Sequence, residues 1–111
     1  MFSGLYRTTR KVLENLLIID MSLVKGSGTY PITGYLQDFD SREMVYNPAG
    51  LLQTGDKRGF FYPSYASGTA SIAIEDGDWV IDAMGTYRVF RTSTLYLGTY
   101  PVYLEAWMRQ E

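Results

Sequence analysis

From Gly77 to Gln110, apolar and polar residues alternate through most of the segment. Trp79 to Asp82 and Thr86 to Arg91 flank a short turn, in which we expect Gly85 to supply the positive φ. Val102 to Trp107 alternates again near the end of the chain. A period of two is typical of strands, so the segment predicts three consecutive β-strands with Trp79 in the core. Strands of this kind favour a barrel, because closure removes exposed edges.

The composition fits one β-rich domain. The chain has 111 residues, of which 46% are hydrophobic and ten are tyrosine. This length supports a single core, and the aromatic content favours strands. We therefore predict a single domain at 1–111, mainly β, a small closed or nearly closed barrel of about five to seven strands with one N-terminal helix.

The predicted helix spans 3–17, because its apolar residues recur on one face at helical spacing. Those residues are Leu5, Val12, Leu13, Leu16 and Leu17. Two interpretations stay open. The helix packs on the core or covers a barrel edge, or it docks on a neighbouring subunit.

Two further strands are predicted at 18–25 and 32–39, where apolar and polar residues alternate. Phe60 to Tyr65 packs four aromatic residues around Pro63. An aromatic run beside a proline favours an edge strand that covers the core. The same run could also serve as a stacking platform for bases or for a substrate.

The segment from Asp40 to Gly59 mixes turn residues with short apolar pieces. A loop near twenty residues is uncommon in a small domain and is usually functional or a projecting hairpin. We therefore predict a long projecting loop at about 40–59, and an ordinary meander hairpin with a Gly-Asp turn stays open as the alternative. Lys57 and Arg58 form its basic pair, which is either solvated or placed to contact a phosphate backbone.

Several classes of chemistry are unsupported. Histidine and cysteine are absent, so imidazole catalysis, thiolate nucleophiles and the usual zinc sites are excluded. An acidic group lacks the order of an EF-hand, so we expect a solvated turn there rather than a metal site; it comprises Glu75, Asp76, Asp78 and Asp82. No phosphate-binding glycine loop is present. We predict no enzymatic activity, no catalytic residues, no cofactor and no metal.

The charge balance and the N-terminus also restrict the function. Ten basic and twelve acidic residues give a net charge of -2, which disfavours tight binding to duplex nucleic acid on an open face. Acidic and polar residues interrupt the apolar stretch near the N-terminus. We therefore expect neither a cleaved targeting segment nor a membrane span, and a soluble product made in the cytoplasm.

The pattern G-D-W-V-I-D-x-x-G-T-Y-R-V-F at 77–90, with L-E-A-W-M-R at 104–109, resembles the head completion proteins of tailed bacteriophages. These are also called stopper, head-closure or head-tail joining proteins. The resemblance implies a β-barrel that assembles as a homo-oligomeric ring, usually of twelve or six copies. Such a ring lies in the neck of the virion, below the portal or adaptor and above a tail protein, and surrounds double-stranded DNA without sequence specificity.

The resemblance also implies a role for the long loop, and a ring requires interfaces between its subunits. In stopper proteins a long loop projects into the DNA channel, and the segment at 40–59 occupies the corresponding place in the chain. The candidate channel residues are Asn47, Gly50, Gln53, Thr54, Gly55, Asp56, Lys57 and Arg58. Exposed tyrosines suit subunit interfaces, and the candidates are Tyr96, Tyr100 and Tyr103.

Two alternatives remain at this stage. The helix has no certain counterpart in stopper proteins, which leaves open a related neck protein, an adaptor or a tail terminator. From a different class, the chain could be a monomeric OB-like or SH3-like module for single-stranded nucleic acid or a peptide. That module would use as its stacking surface Phe60, Phe61, Tyr62 and Tyr65.

Overall fold

The computed structural model describes residues 2–40, 42–43 and 51–111. The elements of this described chain are, in order, α1 (Phe2–Leu16), β1 (Ile19–Lys25), β2 (Gly28–Asp38), β3 (Lys57–Phe61), β4 (Tyr65–Ser67), β5 (Ala70–Ile72), β6 (Trp79–Asp82), β7 (Gly85–Leu97) and β8 (Tyr100–Gln110). Six strands close into an antiparallel barrel in the order β1-β2-β3-β8-β7-β6, and β6 pairs back to β1. Strands β4 and β5 form a separate hairpin.

The predicted mainly β fold, a closed barrel with one N-terminal helix, is confirmed. The segment 77–110 forms β6, β7 and β8, and β7 continues without interruption to Leu97. The expectation of an edge strand at 60–65 is wrong, because β3 pairs with β2 on one side and with β8 on the other. Closure gives every barrel strand a partner on both sides, although the part of β7 after Val89 pairs with β8 alone among the described residues.

The barrel interior is filled by side chains from alternate positions of the strands. Phe61 is fully buried there. Two glycines make room for its ring: a Cβ built at Gly59 would lie 2.3 Å from the ring, and one built at Gly34 would lie 2.5 Å from it. The other buried members of this core are Met21, Leu23, Ile32, Ile74, Val80, Tyr87, Val89, Leu104, Ala106 and Met108.

Helix α1 packs against β8 on the outside of the barrel. Leu13 is partly buried on this side and Leu17, just after the helix, is buried. Leu5, Val12 and Leu16 lie on the neighbouring strip of the helix and are 53%, 54% and 55% exposed. The apolar face predicted from the sequence is therefore divided, with one half covered by the barrel and the other half open to solvent.

Two expectations about the β6–β7 hairpin need correction. Gly85 is not among the glycines with positive φ. The turn is closed by the Asp82 carboxylate, which accepts hydrogen bonds from the N–H groups of Met84 at 2.8 Å and Gly85 at 2.9 Å. Trp79 is not in the core, because it points outward and is partly exposed, whereas Val80 points inward and is fully buried.

Candidate functional site

The residues expected to line a DNA channel are divided between a loop and a strand where the structure describes them. Asn47 and Gly50 lie outside the described residues. Gln53, Thr54 and Gly55 are exposed. The predicted end of the loop at Gly59 is wrong, because 57–59 is the start of β3, paired with β2 and β8.

Asp56, another of these candidates, anchors the chain to the barrel wall. It is only 4% exposed. Its carboxylate accepts hydrogen bonds from Nε and Nη2 of Arg109, each at 3.0 Å, and from the N–H of Gln53 at 2.8 Å. Arg109 also donates to the carbonyl of Leu51 at 2.8 Å. These bonds hold 51–56 against the barrel, and the hydrogen bond to Asp56 raises the pKa of Arg109.

Lys57 and Arg58 are both paired with carboxylates. Lys57 donates to Asp38, and this hydrogen bond raises the pKa of the lysine. Arg58 pairs with Glu43, and its Nε lies 2.7 Å from the Glu105 carboxylate. Their charges are therefore largely neutralised by neighbours on the same chain.

Arginines and aromatic rings interleave on the outer surface of β3, β8, β7 and the start of β6, together with Phe39 just after β2. We call this surface the arginine–aromatic face. The guanidinium carbon lies 4.8 Å from the Phe39 ring centroid for Arg58, 4.7 Å from the Trp107 centroid for Arg91, 4.8 Å from the Phe90 centroid for Arg109 and 5.4 Å from the Trp79 centroid for Arg88. All four distances are within the range of cation–π contacts.

The aromatic rings of this face also contact one another. Phe39 and Phe90 both meet Trp107 edge to face, with centroids 5.2 and 6.3 Å away. Such contacts fix the ring positions and, through them, the arginines that lie over the rings.

A β-bulge in β7 creates part of the arginine–aromatic face. Val89 pairs with Met108, and Arg91 pairs with Trp107, so Phe90 is an extra residue on its strand. Without the bulge, strict alternation would turn Arg91 toward the core with Val89. Strict alternation in the sequence therefore gave no sign of this face.

The three tyrosines proposed for subunit interfaces differ in exposure. Tyr96 is 56% exposed and Tyr100 is 39% exposed, both near the turn between β7 and β8. Tyr6 of the helix stacks on Tyr100 with centroids 5.2 Å apart. Tyr103 is partly buried and packs edge to face on Phe60 at 5.6 Å. Tyr96 is the most accessible of the three to another protein.

The aromatic run at 60–65 does not form an open stacking platform. Phe61 lies inside the barrel, and Arg10 of the helix covers the Tyr62 ring at 4.5 Å. The Tyr65 hydroxyl donates to the carbonyl of Thr33 and accepts from the N–H of Tyr62 at 3.0 Å. Burial raises the pKa of Tyr65 well above its usual value, which keeps this hydroxyl neutral.

The acidic turn before β6 is attached to β1 through one lysine. Lys25 Nζ lies 2.6 Å from an Asp78 oxygen and 2.8 Å from a Glu75 oxygen, and it donates to the carbonyl of Ala73 at 3.0 Å. Within the described ranges, no cluster of three or more potential ligands is placed to hold a metal ion. Glu75 and Asp78 connect the turn to β1 through their ion pairs with Lys25.

An apolar groove runs between α1 and the barrel. Its volume is about 400 Å³, and its lining consists of Leu13, Leu16, Leu17, Tyr35, Phe60 and Tyr103. Leu16 belongs both to the groove and to the exposed strip of the helix. The groove and the strip therefore form one continuous apolar surface.

Comparison of the chain with protein-family models, with curated proteins and with solved structures finds no match. Among the helical residues described, no helix is long and apolar enough to cross a membrane.

Proposed function

We propose that this chain is a structural component of a viral head-tail connector, forming the head-closure ring below the portal or adaptor. The ring continues the channel for double-stranded DNA, retains the packaged DNA and presents its far side to a tail protein. Its mechanism is obstruction and adhesion rather than catalysis. The chain would be made in the host cytoplasm and reside in the neck of the virion.

The main observation that supports this proposal is the exposed apolar strip of α1. Leu5, Val12 and Leu16 are each more than half exposed, and the groove beside them adds further apolar surface. Large continuous apolar surfaces are rare on monomers and mark sites of association. Assembly into a ring would remove this surface from water.

The wall of the barrel offers further support. The segment that resembles head completion proteins supplies β6, β7 and β8, half of the barrel strands. A near-neutral protein also suits a channel, because few counterions are released on contact and DNA can slide past. A ring of twelve or six copies would add many weak contacts without trapping the DNA.

The same support extends to the related neck proteins, an adaptor or a tail terminator, which would also assemble through exposed apolar surface. The monomeric binding module has less support. Phe61 is buried, Tyr62 is covered by Arg10, and the Tyr65 hydroxyl is already hydrogen-bonded.

Deletion of the gene from a virus that encodes this chain tests the proposal. We expect filled heads that lose DNA and do not join tails when particles are examined by electron microscopy. Supplying the intact chain in trans should restore infectious particles. Normal, infectious particles made in the absence of the chain would overturn the connector function.

A further inference from the structure

We propose that the arginine–aromatic face contacts the phosphodiester backbone of double-stranded DNA through Arg88 and Arg91. The inference rests on the proposed connector function, which brings DNA to the protein, and it identifies the surface that the DNA meets. That surface is the outer wall of β7 beside β8, and not the basic pair Lys57 and Arg58.

The charge pairing within the face selects these two arginines. Arg58 is paired with Glu43 and Glu105, and Arg109 with Asp56. Arg88 and Arg91 are exposed and form no ion pair with any described residue. Glu111 adds a further carboxylate near Arg109, so the charges that no ion pair engages on this face are those of Arg88 and Arg91.

The aromatic rings hold the two guanidinium groups in place. Arg91 lies over Trp107 at 4.7 Å, and Arg88 lies over Trp79 at 5.4 Å. The N–H groups of a guanidinium point outward from its edge. When the guanidinium lies over an aromatic ring, these groups stay free to donate hydrogen bonds to phosphate oxygens. Part of the entropy cost of ordering a long side chain has then been met before the ligand arrives.

The bulge at Phe90 brings both arginines to the same side of the barrel. It turns Arg91 outward, so that Arg88 and Arg91 share the outer surface of one strand. Bulges commonly redirect a side chain next to a functional site. Burying the charge of Arg91 in the core would be strongly unfavourable, and the bulge avoids this by placing Arg91 on the outer surface.

The geometry favours contact with the backbone over contact with bases. Arginines already cover Trp107, Trp79 and Phe90, so these rings are not open for base stacking. Guanidinium groups that do not reach the edges of bases bind phosphate in DNA of any sequence. Two contacts per subunit give weak binding to one copy, which is compatible with DNA that must pass through a ring.

Binding of the full chain to a short fluorescent DNA duplex of mixed sequence tests the inference. The fluorescence anisotropy of the duplex is measured at increasing salt concentrations, for the wild type and for the double variant Arg88→Gln with Arg91→Gln. Each lost phosphate contact lowers the salt slope of log K by about 1, so we expect the pair to lower it by about 2 and to weaken binding at low salt.

Two matched variants control for net charge and for folding. Arg7→Gln with Lys11→Gln removes the same charge from exposed positions of α1 and should leave the salt slope close to that of the wild type. Arg88→Lys with Arg91→Lys keeps the charge and should retain most of the slope while losing the planar stacking. Circular dichroism and thermal unfolding establish that each variant is folded.

Equal effects of the two glutamine pairs would overturn the inference, because net charge alone would then explain binding. Absence of duplex binding by the wild type at low salt would overturn it as well. Neither result tests the connector function, which is tested by examining particles assembled without the chain. Conversely, normal particles made without the chain would overturn the connector function. A salt slope that depends on Arg88 and Arg91 would still show that these residues contact DNA.

Discussion

At the scale of single residues, the contrast between two carboxylates shows how burial sets the value of an ion pair. Asp56 is buried and accepts three hydrogen bonds, two of them from Arg109. Asp38 pairs with Lys57, but its side chain is 75% exposed. Water screens an exposed pair and competes for it, whereas a buried carboxylate depends on its partners.

Replacing Asp56 should therefore destabilise the protein far more than replacing Asp38. We expect Asp56→Ala to lower the free energy of unfolding by about 2 kcal/mol, because Arg109 is partly solvated and recovers some of its lost bonding from water. Asp38→Ala should cost about 0.5 kcal/mol. Urea unfolding measures both changes, and equal losses would show that the Asp56 pair does not anchor 51–56.

The core offers a second comparison, between an aromatic residue inside the barrel and one outside. Phe61 is fully buried between Gly34 and Gly59, so Phe61→Ala should cost about 3 to 5 kcal/mol through the cavity that it leaves. Trp79 lies on the outer wall under Arg88, and Trp79→Ala should cost about 1 kcal/mol. Chemical denaturation that ranked the two in the opposite order would contradict this assignment.

At the scale of elements, the period-two pattern was sufficient to predict β6, β8 and the first part of β7, because these segments alternate against a single core. It did not show that β7 continues past Arg91 to Leu97. The bulge at Phe90 was not predicted, although strict alternation after Val89 would bury the charge of Arg91. The pairing of Arg91 with Trp107, which avoids this burial, depends on the register with β8 and is seen only in the structure. The position of Trp79 was predicted wrongly for a related reason. Alternation determines which residues share a face, but a bulky aromatic residue is not a reliable sign of the buried face.

The helix shows a similar limit. The arc of apolar residues on α1 is wider than one contact surface requires, so two roles of the helix were compatible with the sequence. The structure assigns Leu13 and Leu17 to the barrel side and leaves Leu5, Val12 and Leu16 exposed. Covering the barrel is therefore one role of the helix, and the exposed strip is available for the other.

This division predicts separate effects of substitutions on the two sides of the helix. Leu5→Ser with Val12→Ser should leave the unfolding transition nearly unchanged and reduce self-association in sedimentation at rising protein concentration. Leu17→Ala should lower the free energy of unfolding by about 2 kcal/mol or more, since Leu17 is only 3% exposed. A serine pair that associates like the wild type would exclude the strip from the subunit interface.

At the scale of the whole molecule, we expect the free energy of unfolding to fall at alkaline pH, because several groups have raised pKa values in the folded protein. Burial raises the pKa of Tyr65 above its ordinary value of 10.0. Burial lowers the pKa of Lys25, but hydrogen bonds to Asp78 and Glu75 outweigh this effect and raise it above 10.5. Both groups hold their protons more tightly in the folded protein than in the unfolded chain. Their contribution to stability is complete below the unfolded values and declines as pH rises past them.

We therefore expect the free energy of unfolding to stay level as pH approaches 10 from below and to fall through the window above 10.0 to 10.5. Tyr65→Phe is the matched variant. It should cost about 1 kcal/mol at neutral pH, because the Thr33 carbonyl loses its donor, but its stability should fall less steeply in the alkaline window. Urea unfolding across this range, with tyrosinate absorbance recorded in parallel, separates the two contributions. If wild type and variant lost stability with the same slope, the buried Tyr65 hydroxyl would not be a source of the alkaline transition. The other groups with raised pKa values, Lys25, Lys57 and Tyr87, would then have to account for it.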